Sequence, residues 1–289
     1  MKFNIVYIEI SNICGLSCSF CPPKINPTHT MEIEFFEKIL QQLQGDTPII
    51  ALHVLGDPLV VSDLFKYLDL VQKYKFKAMI TTTGYHLQKN HFTTLSHECI
   101  KQVNFSLNSF NKNAMDKTFE QYMQPLLEFC TYKVNNNINS FINLRLWNQD
   151  DKNTEQQFNS EVFSVLNHYF GTDIHFDEVQ CNNTKSIRLD NKVLLNFDNY
   201  FIWPALSNTT VSNGYCQGGS KQLAILSDGR VVPCCLDCDG VIELGNLHAQ
   251  TLKEVLQNKR AKDLIEGFKN SIAVELLCQK CSYKDRFNA

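Results

Sequence analysis

Seven of the twelve cysteines fall into two groups whose spacing can do chemistry. The first group is Cys14, Cys18 and Cys21, spaced C-x3-C-x2-C within SNICGLSCSFCPPK. Three thiolates in one short loop can converge on a soft metal centre. A mononuclear zinc site wants four ligands, and no histidine follows before His29. Three protein ligands leave a position open for another molecule. The second group is Cys216, Cys234, Cys278 and Cys281. Cys216 and Cys234 flank a hairpin in the pattern C-x12-G-x4-C, and CQKC carries the other two. A hairpin brings its two ends together, and a following helix can return the chain to them. Four thiolates can then close around one zinc ion or one iron–sulfur cluster. Cys235 and Cys238 are spare. Cys235 directly follows a proposed ligand, so its side chain should point elsewhere. It is either a substitute for Cys234 or a buried thiol. Cys99, Cys130 and Cys181 stand alone.

The chain that carries these groups has 289 residues, 44% hydrophobic and 20% charged, with a net charge of −3. That is the balance of a globular protein, with room for one large domain or a large and a small one. It gives no global basic footprint for nucleic acid. The length argues against a small secreted disulfide scaffold, which leaves metal or redox chemistry in a reduced compartment. The N-terminal MKFNIVYIEISNICG lacks the apolar core and cleavage site of a signal peptide. No run approaches the roughly 18 apolar residues of a membrane span. The expectation is a soluble, cytoplasmic protein.

Periodicity predicts alternating strands and helices. Strands are expected at Asn4–Ile10, Ile49–Leu55, Lys77–Thr82, Val103–Leu107, Phe141–Trp147 and Asp173–Phe176. Between them fall helices near Met31–Leu43, with Thr30 as cap, Ser62–Tyr74, Gln88–Ile100, Met115–Lys133 and Phe158–Phe170. Pro125 should kink the fourth of these. The first helix should bury Phe35, Ile39, Leu40 and Leu43, and the second Leu64, Phe65, Leu68 and Val71. Six βα units imply a parallel sheet with ligands at the carboxyl ends of its strands, either a partial barrel or a doubly wound sheet. Beyond about Cys181 the rhythm stops. Ser186–Phe197 reads as one or two strands, Lys221–Val232 as a hairpin turning at Asp228-Gly229, and Leu252–Phe268 as a helix. These suggest a second, smaller α+β domain.

The first motif resembles the radical S-adenosylmethionine (SAM) superfamily: C-x3-C-x-aromatic-C after the first strand, with Phe20 as the aromatic. The resemblance implies a [4Fe–4S] cluster held by Cys14, Cys18 and Cys21, whose fourth iron binds SAM. One-electron reduction of SAM then yields a 5′-deoxyadenosyl radical that abstracts hydrogen from substrate. It implies a partial (β/α)6 TIM-like barrel over residues 1–180. Many members carry Gly-Gly-Glu-Pro after strand two; here the segment is Leu55-Gly56-Asp57-Pro58, so Gly56 and Asp57 are the SAM-binding candidates. The shorter aspartate reaches less far. Alternatively the segment is a plain turn. Ser106 and Asn108 stand where the family contacts the ribose and methionine. Arg145 on strand five can pair with the SAM carboxylate or point outward. His53 reads as a core histidine.

The C-terminal cysteines resemble the auxiliary-cluster domain of these enzymes, SPASM or its short one-cluster form, twitch. No cysteine follows Cys281. This implies a small α+β domain over residues 181–289 holding one auxiliary [4Fe–4S] cluster through Cys216, Cys234, Cys278 and Cys281. The Pro-Cys-Cys context resembles radical SAM peptide epimerases, which makes Cys235 a candidate hydrogen-atom donor. The expected reaction is hydrogen abstraction from a peptide or protein, leading to oxidation, cross-linking or epimerisation. The alternative is a small-metabolite dehydrogenase or rearrangement enzyme whose auxiliary cluster accepts an electron. A zinc protein without catalysis is a third reading. The enzyme readings require an electron donor such as flavodoxin or ferredoxin.

Overall fold

The structure is a computed structural model and describes residues 2–149, 152–175, 179, 184–211 and 213–287, with residues 152–154 described by their backbone alone. Packing divides the chain into two compact units. The first comprises Met1–Gly15, Cys21–Ala78 and Phe201–Ala289; the second comprises Leu16–Phe20 and Met79–Tyr200. The first unit thus draws on both of the regions distinguished by motif in the sequence.

In the first unit, β1 (Ile5–Ile8) pairs in parallel with β2 (Ile49–Ala51). Between them, α1 (Ile33–Leu43) buries Phe36, Ile39, Leu40 and Leu43. Phe35 instead stacks on the imidazole of His248, with centroids 3.8 Å apart. The N-cap of α1 is Glu32, without a side-chain cap. Thr30, expected to cap it, forms an isolated bridge with Ser11, and their hydroxyls lie 3.1 Å apart. Further on, α2 (Leu64–Lys73) buries Leu64, Tyr67, Leu68 and Val71, and leaves Phe65 exposed. Positions i, i+3, i+4 and i+7 share one face, which selects Tyr67 over Phe65.

The C-terminal hairpin forms where expected, as β8 (Gln222–Ile225) and β9 (Arg230–Val232). Gly229 takes φ +87° at the turn, a conformation that glycine adopts without strain. A short β10 (Gly245–Asn246) pairs with β9. Unforeseen is the placement of β8, which pairs in parallel with β1, Val6 opposite Leu223 and Ile8 opposite Ile225. The strand order of the unit is β10-β9-β8-β1-β2. The chain then forms α7 (Leu252–Gln257), α8 (Lys259–Lys269), α9 (Leu276–Gln279) and a 3-10 turn at Ser282–Phe287.

The chain enters the second unit within β3 (Lys77–Thr82). There α3 (Asn90–Leu95), β4 (Ile100–Ser106), α4 (Asn108–Asn111), α5 (Phe119–Asn135), β5 (Phe141–Leu146) and α6 (Lys152–Phe170) continue the alternation. Thr118 and Gln121 form a capping box that starts α5, and Pro125 sits within that helix. Strands β4 and β5 are parallel, with Ser106 opposite Arg145. The sixth strand corrects the sequence reading. Asp173–His175 form no strand, and Phe176 lies outside the described residues. Their place is taken by β7 (Val193–Phe197), parallel to β5 and hairpinned to β6 (Ser186–Asp190). Val193, Leu195 and Phe197 alternate into the core, whereas Asp173–Phe176 offers only two apolar side chains. The fold is α/β with parallel strand pairs, as the alternation predicts. Among the described residues no helix is long and apolar enough to cross a membrane.

One buried acid ties the first unit together. Glu9, just beyond β1, is 3% exposed. Its two carboxylate oxygens accept from the backbone N–H of Leu55 (3.1 Å) and of Ser227 (3.2 Å). Burial pushes its pKa above the usual carboxylate range, and the two N–H donors partly offset that. Glu9→Ala leaves two buried donors without this acceptor, a loss expected to cost about 2–5 kcal/mol. Glu9→Gln keeps one good acceptor and should cost roughly half. Thermal denaturation of both variants checks this; an unchanged midpoint for Glu9→Ala would contradict the clamp.

Candidate active site and auxiliary metal centre

The loop after β1 carries Cys14 and Cys18, which are buried, and Cys21, which is half-buried. In the first unit this loop is braced by the candidate SAM-binding segment. Asp57 donates its backbone N–H to the Ile13 carbonyl at 2.9 Å. A Cβ on Gly56 would lie 1.7 Å from the Ser11 carbonyl oxygen, so only glycine fits that approach. The Asp57 side chain is 1% exposed and accepts from the backbone N–H of Leu59 at 3.0 Å, capping the short turn Pro58–Val60.

In the second unit, the Asn113 amide donates to Cys18 Sγ at 3.0 Å. Phe20 stacks on Tyr200, with centroids 5.6 Å apart. Asn108 begins α4, two residues beyond the end of β4. Its amide nitrogen donates to Glu155 at 3.1 Å, and its oxygen accepts from the Trp147 backbone N–H at 2.8 Å. Glu155 is fully buried and also meets Lys112, Asn148 and the Tyr200 hydroxyl. Arg145 packs its guanidinium over the Trp147 ring at 4.9 Å. Ser106 is half-buried opposite it. Sequence reasoning missed Glu155, Tyr200, Lys112 and Trp147. Glu155 sits within a polar run that carries no motif, and only its burial in a packed helix distinguishes it.

The second cysteine group is gathered wholly within the first unit. Gly219 donates its N–H to the Pro233 carbonyl at 2.9 Å, which draws the segment after Cys216 against the one before Cys234. The return through α8 brings Cys278 on α9, and Cys281 after it. All four line one pocket. Burial pushes every one of these thiols above its ordinary pKa. Cys216 is further raised by Cys281, Cys234 by Cys216 and Cys278, and Cys278 by Cys216 and Cys281. Four desolvated thiols that repel one another as thiolates suit a cationic group that binds them deprotonated. Among the described residues no three Cys, His, Asp or Glu side chains are gathered as one metal ion requires. Four thiols that line one pocket are the donor set that either an iron–sulfur cluster or a zinc ion takes.

Cys235 does not line that cavity. It packs with Tyr7, Leu55 and Trp203 against the apolar cluster of Val54, Ala224, Leu226, Val232 and Cys238. Its thiol is hydrogen-bonded to the Tyr7 hydroxyl, and burial pushes it up to about 11. His53 meets Tyr7 edge to face, with centroids 5.5 Å apart. Cys99 and Cys130 are buried, and Cys181 lies outside the described residues.

A family model described as the radical SAM superfamily matches residues 8–153. The chain belongs to the radical SAM superfamily. A second model, the SPASM iron–sulfur cluster-binding domain, matches residues 216–282. No curated relative matches the sequence. Among solved structures, BtrN in complex with AdoMet and 2-DOIA aligns with 16% identity and a TM-score of 0.62, over 98% of this chain and 94% of that one. Native anSMEcpe with bound AdoMet aligns with 17% identity and a TM-score of 0.63, over 96% and 86%. SuiB from Streptococcus suis bound to S-adenosylmethionine aligns with 18% identity and a TM-score of 0.50, over 100% and 73%. These likenesses show a radical SAM (β/α) fold with a C-terminal SPASM domain. Membership carries with it SAM, a [4Fe–4S] cluster and an auxiliary cluster.

Gly56→Ala tests the close approach beside the radical SAM motif. It should lower thermal stability by about 1–3 kcal/mol, the usual cost of overpacking. Gly218→Ala is the control, because its Cβ would meet nothing nearer than 3.5 Å and should cost little. Equal midpoints for the two variants would contradict the packing described.

Proposed function

We propose that this radical SAM enzyme oxidises a carbon of a peptide or protein substrate, with the auxiliary cluster as electron acceptor. The observation that carries the reading is the cavity lined by four cysteines, since a cluster held wholly by protein suits electron transfer. Cys14, Cys18 and Cys21 are proposed to hold the SAM-binding cluster. Cys216, Cys234, Cys278 and Cys281 are proposed to hold the auxiliary one. When bound, these groups supply the radical that takes a hydrogen atom and the acceptor for the electron left on the substrate. The protein's part is to place and shield them. Gly56 and Asp57 would present backbone to SAM, with Ser106 and Arg145 offering polar contacts. Asn108 has its amide engaged by Glu155 and Trp147, so its proposed role toward SAM is to shape the site. Phe20 would lie against the ligand on the support of Tyr200.

A peptide substrate is supported by the likeness to anSMEcpe, solved with AdoMet and the Cp18Cys peptide. Cys235 is half-buried beside an apolar cluster with its thiol hydrogen-bonded to Tyr7, and it is the proposed hydrogen-atom donor for the epimerisation outcome. A small-metabolite substrate is the second reading. The match to 94% of BtrN, solved with AdoMet and 2-DOIA, favours it. In either case residues 1–180 are proposed as the radical SAM core and 181–289 as the auxiliary domain. A flavodoxin- or ferredoxin-type donor and a cytoplasmic setting complete the proposal.

Anaerobically reconstituted protein should hold about eight irons and release 5′-deoxyadenosine from SAM. Replacing Cys216, Cys234, Cys278 and Cys281 by alanine should leave about four irons, with SAM cleavage retained and substrate oxidation lost. Full oxidation by that variant would overturn the acceptor role. Mass spectrometry of candidate peptides in D2O separates the outcomes. Loss of two hydrogens supports oxidation, deuterium at an α-carbon supports epimerisation, and turnover confined to a metabolite pool supports the second reading.

A further inference from the structure

The auxiliary cavity contains a charge that the cysteine pattern does not foretell. Lys284 stands beyond the matched residues 216–282, in the 3-10 turn Ser282–Phe287. It is 1% exposed and lines the same cavity as the four cysteines. Its ammonium donates to the carbonyl oxygens of Cys281 at 2.7 Å and Cys278 at 3.3 Å. The turn after Cys281 folds the side chain back over the CQKC segment, so both proposed ligands from that segment hang on one cation. Burying an ammonium is costly unless something negative answers it. Backbone carbonyls offer dipoles. A cluster bound by four thiolates offers net negative charge, which grows on reduction.

We propose that Lys284 is a charge-tuning residue for the auxiliary cluster, raising its midpoint potential by stabilising the reduced state. The inference rests on the ligand assignment proposed above. Iron–sulfur potentials follow local charge and hydrogen bonding as well as cluster type. Asp237, the carboxylate that also lines the cavity, is held by the backbone N–H groups of Val241 and Ile242, each at 2.8 Å. Asp285 and Glu275 add negative charge near Cys281 and Cys278. These acids stay in place when Lys284 is changed, so the difference between variants reports the lysine alone. A higher potential makes the cluster a readier acceptor for an electron from an oxidised substrate.

The test compares full-length, cluster-loaded wild type with Lys284→Gln and Lys284→Arg. Iron content and electron paramagnetic resonance report loading, and a spectroscopic redox titration reports the auxiliary midpoint. Lys284→Gln should hold both clusters and shift the reduced-to-oxidised ratio about tenfold toward oxidised, a fall of about 59 mV for one electron. Lys284→Arg should restore the wild-type midpoint. If Lys284→Gln loses the auxiliary cluster while Lys284→Arg keeps it, the charge serves retention and not tuning, and the proposal is overturned. A wild-type midpoint in Lys284→Gln, an equal shift in both variants, or cluster loss in both would overturn it. A wild-type chain with about four irons and one cluster signal would overturn the ligand assignment itself, and the iron count identifies that case.

Discussion

The parallel pairing of β8 with β1 is the interaction on which the first compact unit depends. It joins residues more than two hundred positions apart in the chain. Closing such a separation costs entropy, so the pairing must be held by more than its own ladder. Three features hold it. Asn4 and Glu9 continue the backbone bonding at either end of β1, to Lys221 and Ile225. The Glu9 carboxylate bridges Leu55 and Ser227. Tyr7, opposite Ala224, packs into the apolar cluster that also takes Val54 and Val232. The loop that follows β1 and the hairpin that leads to Cys234 therefore stand on one sheet.

That arrangement explains why a cluster-binding region need not be a self-sufficient domain. The hairpin β8–β9 is short, and a two-stranded hairpin alone is marginal in water. It is flanked by β1 on one side and β10 on the other. The four auxiliary cysteines then sit in a cavity whose burial disfavours free thiolates. On the proposed ligand assignment, metal binding and local folding are coupled, since the cluster supplies the positive charge that the buried sulfurs require. Lys284 belongs to the same electrostatic balance.

The family was legible in the sequence because its motifs are local. Cys14, Cys18 and Cys21 lie in one loop, and the turn at Asp228-Gly229 announces its hairpin. The alternation of strand and helix through Phe141–Leu146 follows from period and composition. What escaped depends on contacts far apart in the chain. No pattern in Gln222–Ile225 says that its partner is β1. Chain order points to a sixth strand at Asp173–Phe176, directly after a helix, whereas Val193–Phe197 holds the position with better alternation. Thr30 looked like a helix cap and serves instead as a partner to Ser11, since the chain must cross there to reach α1. Glu9 gave one faint signal, an acid inside an otherwise apolar strand. Lys284 gave none, because an isolated lysine in a polar tail reads as solvated until the turn folds it inward.

Hydrogen exchange of the cluster-loaded protein across a denaturant series tests most directly whether β1 and β8 form one cooperative sheet. The amides of Ile5–Ile8 and Gln222–Ile225 should share a single opening free energy. Exchange of Gln222–Ile225 through a much smaller opening, with Ile5–Ile8 still protected, would contradict a single cooperative sheet in the first unit.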